Sequence, residues 1–194
     1  MQSTSIYIIL LLCSLLASSD AGKDSFTIEV VKDQLTLNPN EGIFYYNEEP
    51  YTGVAVEYFP NTQIAESITY QDGKRNGLRQ KWYEHGALSF EANYIENKLH
   101  GQISTWWSNG VLRSQANYEL GVLNGIAEQW YESGALFKRM NLVNGKEEGM
   151  QQAWRENGKL YTNYEAKNGR IFGLKRANLC FELENEIVQI NEEL

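Results

Sequence analysis

The sequence has few of the residues from which disulfide scaffolds and many active sites are built. Its 194 residues include only two cysteines, two histidines and three prolines. Cys13 lies in an apolar N-terminal run that is predicted below to be removed as a signal peptide. Cys180 is then the only cysteine left, and one cysteine cannot form an intrachain disulfide. Disulfides therefore do not hold the fold, and we interpret Cys180 as a small buried apolar residue rather than a reactive thiol.

A basic region is also missing. The net charge is −8, and residues 53–181 carry fifteen positive against thirteen negative side chains. Residues 22–52 carry two positive and six negative side chains, and residues 182–194 carry five negative and no positive ones. Nucleic-acid binding needs clustered Lys and Arg. We therefore predict no nucleic-acid partner for a near-neutral body with acidic ends.

Catalytic and metal-binding motifs are absent as well. His85 and His100 are far apart in the pattern described below, and we interpret both as solvated turn residues. The turn residues Glu84, Glu132 and Glu156 form a regular row, which we assign to solubility rather than to calcium binding. No nucleophile elbow or phosphate-binding loop occurs. The sequence thus predicts a protein that is not an enzyme and binds no metal or cofactor.

The N-terminus is typical of an export signal. Residues 6–16 form an apolar run, and small residues follow it. The run is shorter than the roughly 20 residues that a membrane-spanning helix needs. We predict a signal peptide over residues 1–21 and an exported protein. A lipoprotein anchor at Cys13 and an uncleaved anchor remain as alternatives.

What the sequence does contain is a glycine that recurs every 24 residues. The column consists of Gly53, Gly77, Gly101, Gly125, Gly149 and Gly173. An aromatic residue follows five positions after the first five of these, and a second aromatic comes next in four units. Self-similarity at a fixed period of this length indicates tandem repeats. We therefore predict that the six glycines are structural.

Each unit is predicted to be a β-hairpin. The first strand runs from the leading glycine to the aromatic pair, and a turn, often Asn-Gly, leads into the second strand. We expect both residues of such a turn to be left-handed. In the second strand of one unit, Leu88, Ala92 and Tyr94 are apolar and are predicted to share a face. The predicted fold is all-β, an elongated antiparallel single sheet or open solenoid of tandem hairpins.

The pattern also divides the chain. We predict capping strands in residues 22–52, tandem repeats in residues 53–176, and a C-terminal cap with an acidic tail in residues 177–194. Residues 43–46 are expected to match the second half of a unit, because Tyr46 precedes Gly53 by the same distance as other tyrosines precede their glycines.

The unit Gly-x4-Trp-Tyr-x2-Gly-x-Leu-x5-Tyr-x2-Gly resembles the MORN repeat, in the variant form found in bacteria. The resemblance covers about residues 44–176 and is best at Trp82-Tyr83, Trp106-Trp107 and Trp130-Tyr131. Proteins similar to this one are commonly placed in the YwqK-like antitoxin family. The resemblance implies a sheet of hairpin repeats, a non-catalytic role and, as a family label, an antitoxin.

The sequence favours a protein-binding scaffold with an unknown protein partner. Most aromatic side chains are expected to pack against their equivalents in neighbouring units and to stabilise the sheet. Aromatic and Arg residues at exposed positions of the repeat are candidates for binding. The candidate surface consists of Tyr83, Trp107, Tyr131, Arg79 and Lys81. Gln129 and Gln151, which occupy the columns of Lys81 and Arg79 in later units, are also expected to be exposed. A phospholipid-surface module is the alternative, and an enzyme is the third.

Overall fold

The computed structural model describes residues 28–174. They form strands joined by tight turns, with one short 3₁₀ helix at Lys32–Gln34. The first strands are β1 (Glu29–Val31), β2 (Thr36–Asn38), β3 (Ile43–Tyr46) and β4 (Glu49–Pro50). The predicted signal peptide, Cys180 and the predicted C-terminal cap lie outside the described residues.

The repeat strands follow in chain order. They are β5 (Gly53–Tyr58), β6 (Ile64–Gln71), β7 (Lys74–Trp82), β8 (Leu88–Ile95), β9 (Lys98–Trp106), β10 (Leu112–Glu119), β11 (Val122–Leu123), β12 (Gly125–Trp130), β13 (Leu136–Val143), β14 (Lys146–Glu147), β15 (Gly149–Trp154), β16 (Leu160–Lys167) and β17 (Arg170–Leu174). With β1, they form one 14-stranded open sheet in which β1 pairs parallel to β5 and all other pairs are antiparallel. The order follows the chain, except that the short strands β11 and β14 pair only with β10 and β13, which also pair with β12 and β15 respectively. The prediction of an all-β sheet of tandem hairpins is confirmed.

Strands β2, β3 and β4 form a separate three-stranded sheet. The expectation that residues 43–46 continue the repeat pattern was therefore wrong, because β3 pairs with β2 and β4 and not with the large sheet. The small sheet packs on the first unit: Leu35, Phe44 and Tyr46 lie against a buried cluster. The cluster consists of Val30, Tyr51, Ala55, Ile68 and Tyr70.

Two kinds of turn alternate along the large sheet. At one edge, two-residue turns place both central residues at positive φ, as in Asn144 (φ 50°) and Gly145 (φ 76°). At the other edge only one turn residue is left-handed, Thr62 (φ 67°) in the first hairpin and a glycine such as Gly110 (φ 83°) in the later ones. There the side chain of Asn109 instead accepts a hydrogen bond from the Val111 N–H at 3.0 Å. The expectation that both residues of the Asn-Gly turns are left-handed was therefore wrong for this edge.

One two-residue turn carries a residue that is poorly suited to it. Leu120 has φ 47° and is 51% exposed. Leucine in the left-handed region costs about 1 kcal/mol, whereas asparagine tolerates it. We expect Leu120→Asn to raise the free energy of unfolding by about 0.5–1 kcal/mol, measured by urea denaturation.

The matched control for that substitution is Leu78→Asn. Leu78 is 39% exposed in the extended strand β7, where asparagine is disfavoured. This control should lose stability. A loss of stability in Leu120→Asn as well would show that the left-handed backbone at Leu120 costs nothing.

Residue pairing assigns each side chain to one of two faces. We call face A the face that carries Arg79 and Lys81, and face B the opposite one. Lys81 pairs with Phe90, but its neighbour Trp82 pairs with Leu88, so a bulge falls between the two pairs. Because consecutive strand residues point to opposite faces, Leu88 lies with Trp82 on face B.

The same bulge recurs in each hairpin, at Trp106, Trp130 and Trp154. Ala92 and Tyr94 remain on face A, since they pair with Arg79 and Gly77. The prediction that Leu88 shares a face with Ala92 and Tyr94 was therefore wrong.

Candidate functional site

Face A is covered at its N-terminal end. The ring of Phe44 lies 5.1 Å from that of Tyr70, and the Phe44 N–H donates to the Gly73 carbonyl at 2.8 Å. The side-chain amide of Asn97 donates to the Gly42 carbonyl at 3.1 Å. Within residues 28–174, the 3₁₀ helix and strands β2–β4 are the only elements outside the large sheet. These contacts reach face A no further than Asn97, so no described element outside the large sheet packs on face A of the later units, although some of its side chains there, such as Gln151 and Tyr164, are buried.

A buried carboxylate, Glu66, organises the covered part of face A. Glu66 is 2% exposed. It accepts hydrogen bonds from Arg79 Nη2 at 2.6 Å and Nε at 3.0 Å, lies 3.2 Å from Lys81 Nζ, and also binds Lys32. Burial acts to raise the pKa of Glu66, but the hydrogen bonds and charges of Lys32 and Arg79 outweigh it and lower the pKa to about 2. Two of the predicted binding residues, Arg79 and Lys81, are thus partners of an internal carboxylate.

The predicted aromatic residues Tyr83, Trp107 and Tyr131 connect neighbouring units. Each is half-buried and donates a hydrogen bond to the main-chain carbonyl of a tryptophan 23 residues later, in the next unit. The donor–acceptor distances are 2.8, 3.1 and 2.9 Å respectively. The polar end of each side chain is therefore engaged inside the sheet. A role for the half-exposed rings in binding stays a prediction.

Beyond the covered part, face A contains a depression of about 360 Å³ near the hairpin edge. Trp107, Arg113, Gln129 and Phe137 line it. The guanidinium of Arg113 lies 4.5 Å from the centroid of Trp107, and the ring of Tyr131 contacts Phe137 at 5.1 Å. We call this depression the Trp107 groove. It combines aromatic surface with a cation, which suits recognition of a peptide or an anionic group.

Two cationic side chains lie at the Trp107 groove, Arg113 and Lys138. Lys138 pairs with Gln129, so it lies on face A beside the groove. The side chains of Arg113 and Lys138 have no ion pair or hydrogen bond with another described residue. The carboxylates of the neighbouring central columns lie on face B, because they pair with face B residues; they are Glu91, Glu128 and Glu165. No carboxylate lines the groove itself, although Glu132 lies in the hairpin turn between Tyr131 and Phe137, and Glu156 interacts electrostatically with Tyr131.

Gln151 and His100 do not lie where the sequence predicted. Gln151 was expected to be exposed, but it is 1% exposed and donates to the Asn141 carbonyl at 2.7 Å. His100 lies in strand β9 and is half-buried, so it is not a solvated turn residue. His85 is exposed at its turn, as predicted, and stacks on Tyr83 at 5.6 Å.

The Trp107 groove was only partly anticipated. Trp107 was predicted as a binding residue and Gln129 as an exposed one, whereas Arg113, Phe137 and Lys138 were missed. Arg113 and Phe137 follow the leucine of their unit by one residue, a position that the bulge turns towards face A. No repeating residue type marks this column.

Residues 28–174 contain no group of three or more His, Cys, Asp or Glu side chains placed to hold a metal ion. The same part of the chain contains no helix with the length and hydropathy needed to cross a bilayer.

Comparison with known families identifies two of the hairpins. Residues 75–96 and 99–120 match the MORN repeat variant. The matched segments coincide with the hairpins β7–β8 and β9–β10. These two hairpins are therefore MORN-type repeats, a non-catalytic module commonly used for interaction with proteins or membranes. No curated protein matches the chain significantly.

Proposed function

We propose that this chain, with its MORN-type hairpins, is a non-catalytic repeat scaffold that binds a protein partner through the uncovered part of face A. The observation that carries the proposal is the Trp107 groove, where Trp107, Phe137 and Arg113 come together without a covering element among the described residues. Aromatic and Arg side chains are enriched at protein interfaces and dominate their binding energy.

The five residues predicted as a binding surface take different parts in this proposal. Trp107 and Tyr131 lie in or next to the groove and contribute ring surface. Tyr83 extends the same row of rings by one unit. Arg79 and Lys81 hold Glu66 and form the border between the covered and uncovered parts of face A.

A pair of isosteric substitutions tests the choice of face. Gln129→Glu places a negative charge in the groove beside Lys138 and should weaken partner binding at least roughly ten-fold, since it removes the positive character of the site. The partner is first isolated by co-purification with the mature protein from the native host, and its affinity is then measured by calorimetry.

The control is Gln102→Glu, the same change on face B. Gln102 is exposed and pairs with Asn117. The Gln102→Glu variant should bind the partner with an affinity within about two-fold of the parent protein's, because an exposed charge away from the binding surface contributes little. Equal affinities of both variants and the parent protein would overturn the assignment to face A.

The alternative function is association with a phospholipid surface. The cations Arg113 and Lys138 favour it, because anionic lipids attract exposed basic residues. Near-neutral repeats with acidic flanking segments disfavour it. Liposome sedimentation separates the two functions: saturable binding to anionic vesicles that weakens with salt would replace the protein-binding proposal.

Export and the antitoxin role belong to the proposal in different ways. Export is supported by the apolar run of residues 6–16, and N-terminal sequencing of the protein from its host tests cleavage near residue 21. The antitoxin role is supported only by family resemblance. It requires that the co-purified partner be a toxin whose activity falls when this chain is added.

A further inference from the structure

We propose that the acidic C-terminal segment of this chain, residues 182–194, docks in the Trp107 groove and occupies the partner site until a partner displaces it. The inference rests on the proposed function, since it describes how the same part of face A is regulated. Its support comes from the cations of the groove, from where the described chain ends, and from the composition of the segment.

The groove offers donors for a carboxylate. Arg113 lies with its guanidinium over the ring of Trp107 at 4.5 Å. A guanidinium held by its flat side keeps its N–H groups in the plane free, in the fork that binds a carboxylate in two places. Lys138 adds an ammonium group on the same face, because it pairs with Gln129, which lines the groove. Neither cation is paired within residues 28–174.

The segment has the complementary composition. Residues 182–194 contain five glutamates and no Lys or Arg. Apolar side chains stand among them, including Leu183 and Ile187, and these can lie against the rings of Phe137 and Trp107. Carboxylates next to apolar residues match a groove in which cations stand next to aromatic rings.

The described chain ends within reach of the groove. Leu174 pairs with Asn163, which lies in the row of Gln152 and Arg139. Strand β10, on which Arg113 lies, is five strands away from β17 in the sheet order, or about 24 Å at the usual strand spacing. Glu182 is eight residues beyond Leu174, and eight extended residues span roughly 26 Å. The chain beyond Leu174 is therefore long enough for the acidic segment to reach the groove.

The chain already covers face A in this way at its other end. The segment that contains the 3₁₀ helix and β2–β4 folds back on the first unit, with Phe44 against Tyr70 and Lys32 bound to Glu66. That contact joins a cation of the terminal segment to a carboxylate of face A. The proposed contact joins a carboxylate of the other terminal segment to cations of face A.

Cys180 reports on the docking, because it lies two residues before the acidic segment. The experiment measures the rate at which a thiol reagent modifies Cys180 in the full-length chain carrying Cys13→Ser, without any partner. Docking should make this modification slow. Arg113→Glu should accelerate it roughly five-fold, because the loss of one favourable charge contact shifts an equilibrium by about that factor. Rising salt should accelerate it similarly.

Two variants complete the test. Arg139→Glu makes the same charge change on face B, where Arg139 pairs with Glu128 at 2.7 Å, and should leave the rate unchanged. Combining Arg113→Glu with Glu182→Lys, Glu184→Lys and Glu186→Lys should restore slow modification by exchanging the charges. If Arg113→Glu is unfolded, Lys138→Glu takes its place in the test. Far-UV circular dichroism then shows that the Lys138→Glu variant is folded.

A rate that is indifferent to Arg113, Lys138 and salt overturns the docking, whether the thiol reacts quickly or slowly. This outcome leaves the partner-binding proposal intact, because that proposal is tested by affinity for a separate protein. Loss of partner binding with persistent charge-dependent protection of Cys180 would instead remove the proposed function alone.

Discussion

Replacing Glu66 by Gln is expected to lower the free energy of unfolding by about 3–5 kcal/mol, the cost of removing one member of a buried ion cluster. Glu66 is 2% exposed and faces three cations, Lys32, Arg79 and Lys81. A neutral amide leaves Arg79 without its closest counter-charge in a desolvated position. Urea denaturation of the two proteins measures the difference.

The same carboxylate makes stability depend on pH. Its pKa is about 2 in the folded chain against 4.5 for a free glutamate. The folded value is depressed, so its contribution is fully present above pH 4.5 and is lost as the pH falls towards 2. The pKa difference corresponds to about 3 kcal/mol. The parent protein should therefore lose this stability across that window, and Glu66→Gln should show a flatter profile there.

Glu128→Gln is the matched control. Glu128 also pairs with an arginine, Arg139, at 2.7 Å, but both side chains are partly exposed. A solvated pair of this kind contributes about 0–1 kcal/mol. If Glu66→Gln were no more harmful than Glu128→Gln, the cluster around Glu66 would not stabilise the fold, and the N-terminal segment would be held by its apolar contacts alone.

Gly53→Ala is expected to destabilise the protein by about 3 kcal/mol or more, because a methyl group has no room there. A Cβ atom at Gly53 would stand 2.1 Å from the Ile28 carbonyl oxygen and 2.6 Å from the Tyr51 hydroxyl. These two groups are hydrogen-bonded to each other at 2.7 Å, and Ile28 also accepts from the Val54 N–H. The substitution must therefore separate β1 from β5 or displace Tyr51 from the buried cluster.

Gly101→Ala provides the comparison from the same sequence column. Gly101 has φ 78°, but no atom lies within 4 Å of the position of an added Cβ. Only the backbone preference opposes alanine there, at a cost of about 1–2 kcal/mol. Thermal and urea denaturation should show that Gly53→Ala has a clearly lower free energy of unfolding than Gly101→Ala. Equal losses would mean that the column requires glycine for its dihedral angles alone.

The repeat pattern is the part of the fold that the sequence predicts well. Glycines every 24 residues, such as Gly77 and Gly101, and the second glycine of each unit, such as Gly110, lie at backbone positions with positive φ. Few other residues accept that conformation. The period thus reflects a local steric requirement, and local requirements can be recognised in one sequence.

The faces of the sheet were harder to predict because the bulge leaves no trace in the spacing. Every hairpin contains it, so the 24-residue period stays intact while Leu88 moves to face B. Phe137 and Arg113 are turned towards the groove by the same irregularity. A strict alternation of faces fails wherever a strand holds one extra residue.

Contacts between residues far apart in the chain could not be predicted from the sequence either. Glu66 occupies a column in which the other units have Phe90, Ser114, Lys138 and Thr162. Nothing in that column indicates a buried ion, since its partner Lys32 comes from a separate segment 34 residues away. The parallel pairing of β1 with β5 likewise depends on tertiary packing and not on local propensity.

The hydrogen bonds of Tyr83, Trp107 and Tyr131 have a consequence for the evolution of chain length. Each donor reaches a main-chain carbonyl, which every residue type provides, so the junction between units does not depend on the identity of a neighbouring side chain. Tyrosine and tryptophan are interchangeable there because both carry a donor at the end of a rigid ring. Whole 24-residue units could accordingly be duplicated or lost in the gene without compensating substitutions in the units on either side.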